Sequence, residues 1–377
     1  YDLTFINSYF EATSGFTSTG FTVFDNINQI DQSLILWRSS SQWIGGLYFL
    51  FSIILLIDIF DNSFKKSLTN FISFNKAEIL KQSFKIFLLY SILTFLIFII
   101  LNLFNVRTFN SLNLAMSIIS SGGFLPTNSL SNILLYNGQI IVFALLLLTS
   151  FFSIFLSYNL IFFKNRNINF FNEDLHLLFY FMILLLIFFV FLNFDNNFSE
   201  LFLSLTSSIS NMGFSLNNNS VNLSFIFLIL TIIGGSFFST SSGIRFLKIY
   251  SLFKYSINEI LSYSRPKNVY INKHLFSKEF FHLKEIYKYF LSIIVFIVSF
   301  LSLTFLLTLS GIEFESSFKL SILALMNTVN SSMYGLSDFS FYDLDFFTKY
   351  YLILFMIIGR VELLTLLIIS KKFLFKN

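Results

Sequence analysis

The sequence predicts an all-α polytopic membrane protein built from four pseudo-symmetric repeats around one axis, the first repeat lacking its outer helix. Three observations predict it. The 377 residues are 55% hydrophobic and only 12% charged, with a mean hydropathy of +0.75, whereas a soluble domain carries about 25% charged residues. Uncharged runs of the roughly 20 residues needed to cross hydrocarbon occupy 39–57, 86–106, 175–194 and 289–312. Finally, a mostly hydroxyl-rich stretch leading to a glycine and an apolar residue recurs four times, each time just before a long apolar run. These stretches are Thr17-Ser18-Thr19-Gly20-Phe21, Ser121-Gly122-Gly123-Phe124, Asn211-Met212-Gly213-Phe214 and Met333-Tyr334-Gly335-Leu336.

Charge sets the sidedness. Basic residues cluster at 58–85, 164–174 and 245–288 and at Lys371, Lys372 and Lys376, which the positive-inside rule places in the cytoplasm. The opposite connections carry Asp25, Asp31, Asp195, Glu200, Glu313, Glu315, Asp338, Asp343 and Asp345 against Arg38, Arg107, Lys319 and Lys349. Such a carboxylate surplus raises the local cation concentration on that face.

The elements follow in order. The first repeat opens with a short helix at 5–14, then the loop at Gly20 and an inner helix at 34–59. The second has its outer helix at 86–106. The uncharged run 108–163 is too long for one span, yet two more full crossings would leave the chain on the wrong side. Residues 110–128 must therefore enter and leave on the outer side, as a short helix at 112–119 and an extended return through 120–124. A single inner helix near 134–163 completes that repeat. Irregular backbone at membrane depth is tolerated only where it is buried in protein or lines a water-filled cavity. The third repeat places an outer helix near 175–194, a short helix ending near Ile209, the loop at Gly213 and an inner helix from Val221. The fourth places helices at 289–309, 318–326 and 346–370 around Gly335. All four units run the same way, so they surround an axis along the membrane normal as helix–pore-loop–helix repeats around a central pore. The repeats divide the chain at 1–60, 61–165, 166–256 and 284–377, with a cytoplasmic basic linker at 257–283. The chain opens at Tyr1 with neither an initiator Met nor a signal-peptide pattern, and we read it as N-terminally incomplete.

Rings of backbone carbonyls are how proteins bind a dehydrated alkali cation, and pointing successive carbonyls inward takes dihedrals open mainly to glycine. Four such loops in equivalent positions expect one cation site, whereas any one of them alone reads equally as a turn. The candidate ligands are Thr17, Ser18, Thr19 and Gly20; Ser120, Ser121, Gly122 and Gly123; Ser210, Asn211, Met212 and Gly213; and Ser332, Met333, Tyr334 and Gly335. The fourth set is the most degenerate and offers backbone oxygens only.

At these residues the sequence resembles the TrkH/KtrB family of potassium transporters. Phe10-Glu11-Ala12-Thr13-Ser14-Gly15-Phe16-Thr17-Ser18-Thr19-Gly20 is similar to the family's first pore loop, followed by Leu36-Trp37-Arg38 and Gln42-Trp43-Ile44-Gly45-Gly46. Further matches are Ile119 to Phe124, Ile233-Gly234-Gly235 with Ser239 to Arg245, and Ile358-Gly359-Arg360-Val361-Glu362. The motifs keep the family's order along essentially the whole chain; what is missing is its N-terminal part. The resemblance implies that Gly20, Gly123, Gly213 and Gly335 are filter glycines, that K+ is the transported ion with no covalent cofactor, and that Gly20, where a serine is associated with sodium preference, favours potassium. Asn211-Met212 and Met333-Tyr334 depart from the family's smaller or hydroxyl residues and leave the selectivity open.

The third inner helix is interrupted mid-membrane by Gly234, Gly235 and the run Ser239, Thr240, Ser241, Ser242 and Gly243. It reads as a packed kink or as a gate loop beneath the filter, and the resemblance favours the gate. Arg360 sits deep in an apolar span, where an arginine costs about 2.5–3.5 kcal/mol on insertion scales. It is therefore expected to face the pore beside that loop, or else to pair with Glu362, two residues away and poorly spaced for it. Arg38 is expected to snorkel to the interface, and Asp58 and Asp61 to end their helix in solvent.

Composition excludes other classes. There is no cysteine, and His176, His274 and His282 are too few and scattered for a metal centre. The spans hold no catalytic carboxylate pair and no Ser–His dyad, so no enzyme is expected. A coupled secondary transporter remains the alternative, as does a sodium-permeable pore of the same architecture; such transporters also use broken helices, but usually in inverted repeats. Residues 245–288 hold nine Lys/Arg against three Glu, which positive-inside topology and lipid headgroup contact explain. The resemblance adds a TrkA/KtrA-like cytosolic nucleotide-binding regulatory subunit and a homodimer with one pore per protomer, in the bacterial cytoplasmic (inner) membrane. No nucleic-acid partner is expected.

Overall fold

The computed structural model describes residues 3–60, 79–156, 172–191, 198–216, 223–263, 283–336 and 339–361. The first repeat comprises α1 (Phe5–Phe16) and α2 (Gln32–Phe60). The second comprises α3 (Ile79–Leu103), α4 (Thr108–Ser120) and α5 (Asn137–Phe151). The third runs through α6 (Asn172–Phe191), α7 (Phe198–Ile209), α8 (Ser224–Ile232) and α9 (Phe246–Ser262). The fourth comprises α10 (Leu283–Leu309), α11 (Phe314–Leu325) and α12 (Phe346–Val361). The basic clusters at 61–78, 164–171 and 264–282, Glu362, and Lys371, Lys372 and Lys376 lie outside the described residues, as does the side chain of Asp58.

Two helix populations separate by length and by what they touch. The spans Ser83–Leu103, Glu173–Val190 and Glu285–Leu309, within α3, α6 and α10, are long and apolar enough to cross a membrane. They turn large apolar side chains outward, among them Phe95, Phe179 and Phe305, because lipid tails solvate such groups as well as protein does. By contrast α1, α4, α7 and α11 have 12 or 13 residues, about 20 Å at 1.5 Å per residue, too short to span. Their hydroxyls are buried and bond back to the helix: Thr206 and Ser208 of α7 donate to the carbonyls of Phe202 and Ser204. A polar helix at this depth is stable because each group is satisfied locally and the neighbours exclude lipid.

The short helices pack inside the long ones: α2 lies against α1 and α4, α5 against α7, and α10 against α11. Contact between α1 and α12 closes the circle from the fourth repeat to the first. This circle is made tight by glycines on the inner helices. A Cβ on Gly45 would strike the carbonyl of Phe16, the last residue of α1, and one on Gly359 would strike the carbonyl of Leu325, the last residue of α11. Backbone cannot retreat as a flexible side chain does. Gly359→Ala should therefore cost about 1–3 kcal/mol, the usual price of overpacking, read as a lower melting temperature of the detergent-solubilised protein; an unchanged melting temperature would show that α11 yields freely.

The third inner helix is broken. α8 ends at Ile232, and β1 (Ile233–Gly234) pairs in parallel with β2 (Ile244–Arg245), joining Ile233 to Ile244 and Gly234 to Arg245. The intervening Gly235–Gly243 loop stays inside the protein, with Ser236, Ser239, Thr240, Ser241 and Ser242 all buried.

Candidate pore and gate

Each short helix ends in the same way. Its C-terminal residue is followed by one more, then by a residue in the left-handed region: Ser18 (φ 53°), Asn211 (φ 59°) and Asn327 (φ 48°), with Ser121 (φ 56°) directly after α4. The next residue then donates its N–H five residues back: Thr19 to Ser14, Gly122 to Ser117, Met212 to Ser207 and Thr328 to Leu323. This helix-ending geometry satisfies the last carbonyls and turns the chain sharply. One residue further on stand Gly20, Gly123, Gly213 and Val329.

These four positions converge. A Cβ built on Gly20 would lie 2.6 Å from the Cα of Gly123; on Gly123, 2.5 Å from the Cβ of Val329; on Gly213, 2.5 Å from the carbonyl oxygen of Val329. Gly20 and Gly213 also hold φ values of 88° and 77°, which only glycine adopts readily. Together the four residues line a cavity of about 480 Å³, whose walls include Thr22, Asp25, Asn128, Ser215 and Asn330.

The fourth loop expected from sequence is corrected here. The residue equivalent to Gly20 is Val329, and the equivalent stretch is Asn327-Thr328-Val329, not Met333-Tyr334-Gly335. Met333 and Tyr334 form a short 3-10 turn with Ser332 and bury their side chains in the core, and Gly335 ends that turn beside the Lys319 ammonium. Ser332 alone of the four lines the cavity, within 2.8 Å of the Ser215 hydroxyl. Glycine was a misleading marker because asparagine enters the left-handed region at little cost and Val329 keeps ordinary dihedrals. The readable signal was Asn327, at the same distance past its helix as Asn211.

The remaining named residues are tied in locally. Thr17 Oγ1 donates to the Thr13 carbonyl and lies 2.7 Å from Thr19 Oγ1. Ser120 and Ser210 donate to carbonyls of their own helices. Gly122 packs on Gln42, whose Oε1 accepts from Ser117 Oγ and from the Phe124 amide.

The broken helix lies against this structure. Arg360 is buried and uses its two terminal nitrogens differently: Nη1 donates to the Thr240 carbonyl (3.2 Å) and Ser242 Oγ (2.9 Å), while Nη2 donates to Ser18 Oγ (3.4 Å) and the Ser120 carbonyl (3.2 Å). Its guanidinium lies 4.4 Å from the ring centre of Phe49. The expected neighbourhood of Arg360 and the 239–243 loop is thus present, and one side chain joins that loop to the first and second of the converging loops. Ser242 Oγ also reaches Asn327 of the fourth.

Comparison with known proteins bears on this arrangement. No protein-family model matches the chain. The Trk system potassium uptake protein TrkG of Escherichia coli is 24% identical over 100% of this chain and 80% of its own length, and TrkH of the same organism is 24% identical over 98% and 79%. An uncharacterized cation transporter of Methanocaldococcus jannaschii is 26% identical over 72% of this chain, which spans 57% of that relative. The crystal structure of the potassium transporter TrkH from Vibrio parahaemolyticus superposes with a TM-score of 0.80 at 19% identity, covering 97% of this chain and 78% of that one. The chain has the TrkH fold and is similar in sequence to Trk potassium uptake proteins. Its relatives are transport proteins, not enzymes, and it is a multi-pass membrane protein.

Within the TrkH fold two arginines take places that charge counting missed. Arg38 does not snorkel: it is 1% exposed, and its Nε is paired with Glu11 Oε1 at 2.8 Å. Its Nη2 donates to Thr22, its guanidinium lies 4.1 Å from the Phe124 ring centre, and Glu11 Oε2 accepts the Val23 amide. The pair thereby clamps the exits of the first two loops. Arg245, counted with the cytoplasmic charge, is likewise 2% exposed; its Nη1 donates to the Ser236 and Ser241 carbonyls and to Ser239 Oγ, folding the 235–243 loop upon itself. Lys248 is buried one turn further along.

Proposed function

We propose that this chain carries K+ across the cytoplasmic (inner) membrane of a bacterium, through a filter formed by residues 17–20, 120–123, 210–213 and 326–329. The single observation that supports this most is the convergence of four identically terminated helices on one point. Each aims its C-terminus there, and none has a basic residue in its last turn. A helix C-terminus carries roughly half a negative charge, so four of them favour a cation without supplying a full charge that would trap it. Backbone and hydroxyl oxygens of the loops replace its water. The 235–243 loop and Arg360 then act as the gate on the inner side.

Val329 favours a second reading, a filter that also passes Na+, since three glycines and one β-branched residue make an unequal ring. The experiment is rubidium uptake by a potassium-uptake-deficient bacterium expressing the full-length protein, beside Gly20→Ser. The expected result is rescue by the wild type and a lower potassium preference in the variant, by about tenfold for each ~1.4 kcal/mol lost at the site. Absent uptake despite membrane insertion overturns K+ transport; an unchanged preference overturns only the role of Gly20. Because the relatives are named as parts of a Trk system, we also propose a TrkA/KtrA-like cytosolic regulatory subunit and a homodimer.

A further inference from the structure

The four pore loops are sewn together by side-chain hydrogen bonds, and one seam differs from the rest. Ser121 Oγ donates to the Ser210 carbonyl at 2.8 Å, joining the second loop to the third. Asn211 Nδ2 donates to Thr328 Oγ1 at 3.4 Å, joining the third to the fourth. Asn327 Nδ2 donates to Thr19 Oγ1 at 2.9 Å, joining the fourth to the first. In each case the left-handed residue that ends the short helix supplies the donor. Among the described residues, no direct hydrogen bond joins residues 17–20 to residues 120–123; the first two loops meet farther along, where Asn128 Oδ1 accepts the Ile27 amide (2.6 Å) and Asn128 Nδ2 donates to Asn26 Oδ1 (2.9 Å). Ser18, the left-handed residue of the first loop, turns its hydroxyl to the Gln42 carbonyl instead. These two stretches are bridged by Arg360, whose Nη2 holds Ser18 Oγ and the Ser120 carbonyl together. Behind it, Gln42 touches both loops.

Building on the filter reading above, we infer that Arg360 is a selectivity-positioning residue: it is the fourth stitch of the filter ring as well as part of the gate. A guanidinium is suited to this, because its planar fork presents several donors at fixed angles, which a lysine ammonium does not. Since Nη1 of the same group holds the gate loop at Thr240 and Ser242, any movement of the gate that carries Arg360 away also removes the stitch between Ser18 and Ser120. Gate position and ion preference are therefore coupled through one side chain. A purely electrostatic barrier makes no such link, because a charge at that place impedes every monovalent cation alike.

The test is K+ and Na+ permeation by the full-length protein in liposomes. Arg360→Lys keeps the charge but not the fork, and Ser18→Ala removes one end of the stitch with little risk to folding. Both should lower the K+/Na+ permeation ratio by about two- to tenfold, the range one hydrogen bond commands. Ser239→Ala loosens the gate loop where Arg245 holds it and touches no pore loop; it should raise flux and leave the ratio unchanged. If Ser18→Ala and Arg360→Lys keep the wild-type ratio, Arg360 is a barrier only and the inference falls while K+ transport stands. A ratio that drops as far in Ser239→Ala also overturns it, because selectivity would then follow gate opening in general. A correctly inserted wild type that passes neither ion overturns the filter reading itself.

Discussion

Arg360→Ala is expected to raise K+ or Rb+ flux by about 10- to 100-fold. A unit charge about 4 Å from a passing cation opposes it by roughly 4 kcal/mol at an effective dielectric constant near 20, and partial screening by the surrounding hydroxyls brings the effect to that range. Arg360 lies within hydrogen-bonding distance of Ser18 and Ser120, which precede the converging Gly20 and Gly123, so under the proposed mechanism its charge sits beside the ion's path. Removing it also frees the gate loop from the pore loops at Thr240 and Ser242, which acts in the same direction. Flux is measured as initial-rate 86Rb+ uptake, normalised to the amount of inserted protein. An inserted variant with flux equal to or below that of the wild type would remove Arg360 from the gate.

Glu11→Ala should be the most damaging single change to stability. The carboxylate and the Arg38 guanidinium are both almost fully buried, and deleting one partner of a buried pair costs about 3–5 kcal/mol, because the other charge is left without compensation. The loss spreads, since Glu11 also accepts the hydroxyl of Thr22 and the amide of Val23. The measurement is the melting temperature in detergent, expected to fall sharply in Glu11→Ala and in Arg38→Ala. The double variant Glu11→Ala/Arg38→Met should recover part of the loss, as no unpaired charge remains. A double variant less stable than either single one would show that the two side chains act through separate contacts.

The arrangement of repeats was legible because it rests on local, additive signals. The length of an apolar run, its charge at each end and the parity of crossings are properties of the chain alone, and they led to short helices ending at 14, 119, near 209 and at 326, within two residues of the ends at Phe16, Ser120, Ile209 and Leu325. The first three loops were legible as well, since Gly20, Gly123 and Gly213 stand at the point where backbones crowd too closely for a Cβ. The fourth was not. There Val329 forms part of the crowding without being a glycine, and Gly335 adopts its left-handed conformation for a surface turn unrelated to the ring.

Buried charge was the other blind spot. Arg38, Arg245 and Arg360 look alike in a hydropathy profile, as basic residues near or within apolar runs. Their partners are 27 residues away for Arg38, within one loop for Arg245, and 118 to 342 residues away for Arg360. Sequence could state only that a deeply inserted arginine needs a polar partner, and it located one for Arg360 because the broken helix was itself visible.

By itself, then, the sequence determined that this chain is a multi-pass membrane protein of four like-oriented repeats with polar, glycine-marked loops and one interrupted helix. Only the tertiary structure decided which residues meet: Val329 beside Gly123 and Gly213, the Glu11–Arg38 clamp, and Arg360 bridging the 235–243 loop to Ser18 and Ser120. The physical reason is that spanning and turning are set by solvation and dihedral preference along the chain, whereas the pairing of buried polar groups is set by which helices pack together. Nothing in residues 18, 120 and 242 singles out position 360 until the circle of helices is closed.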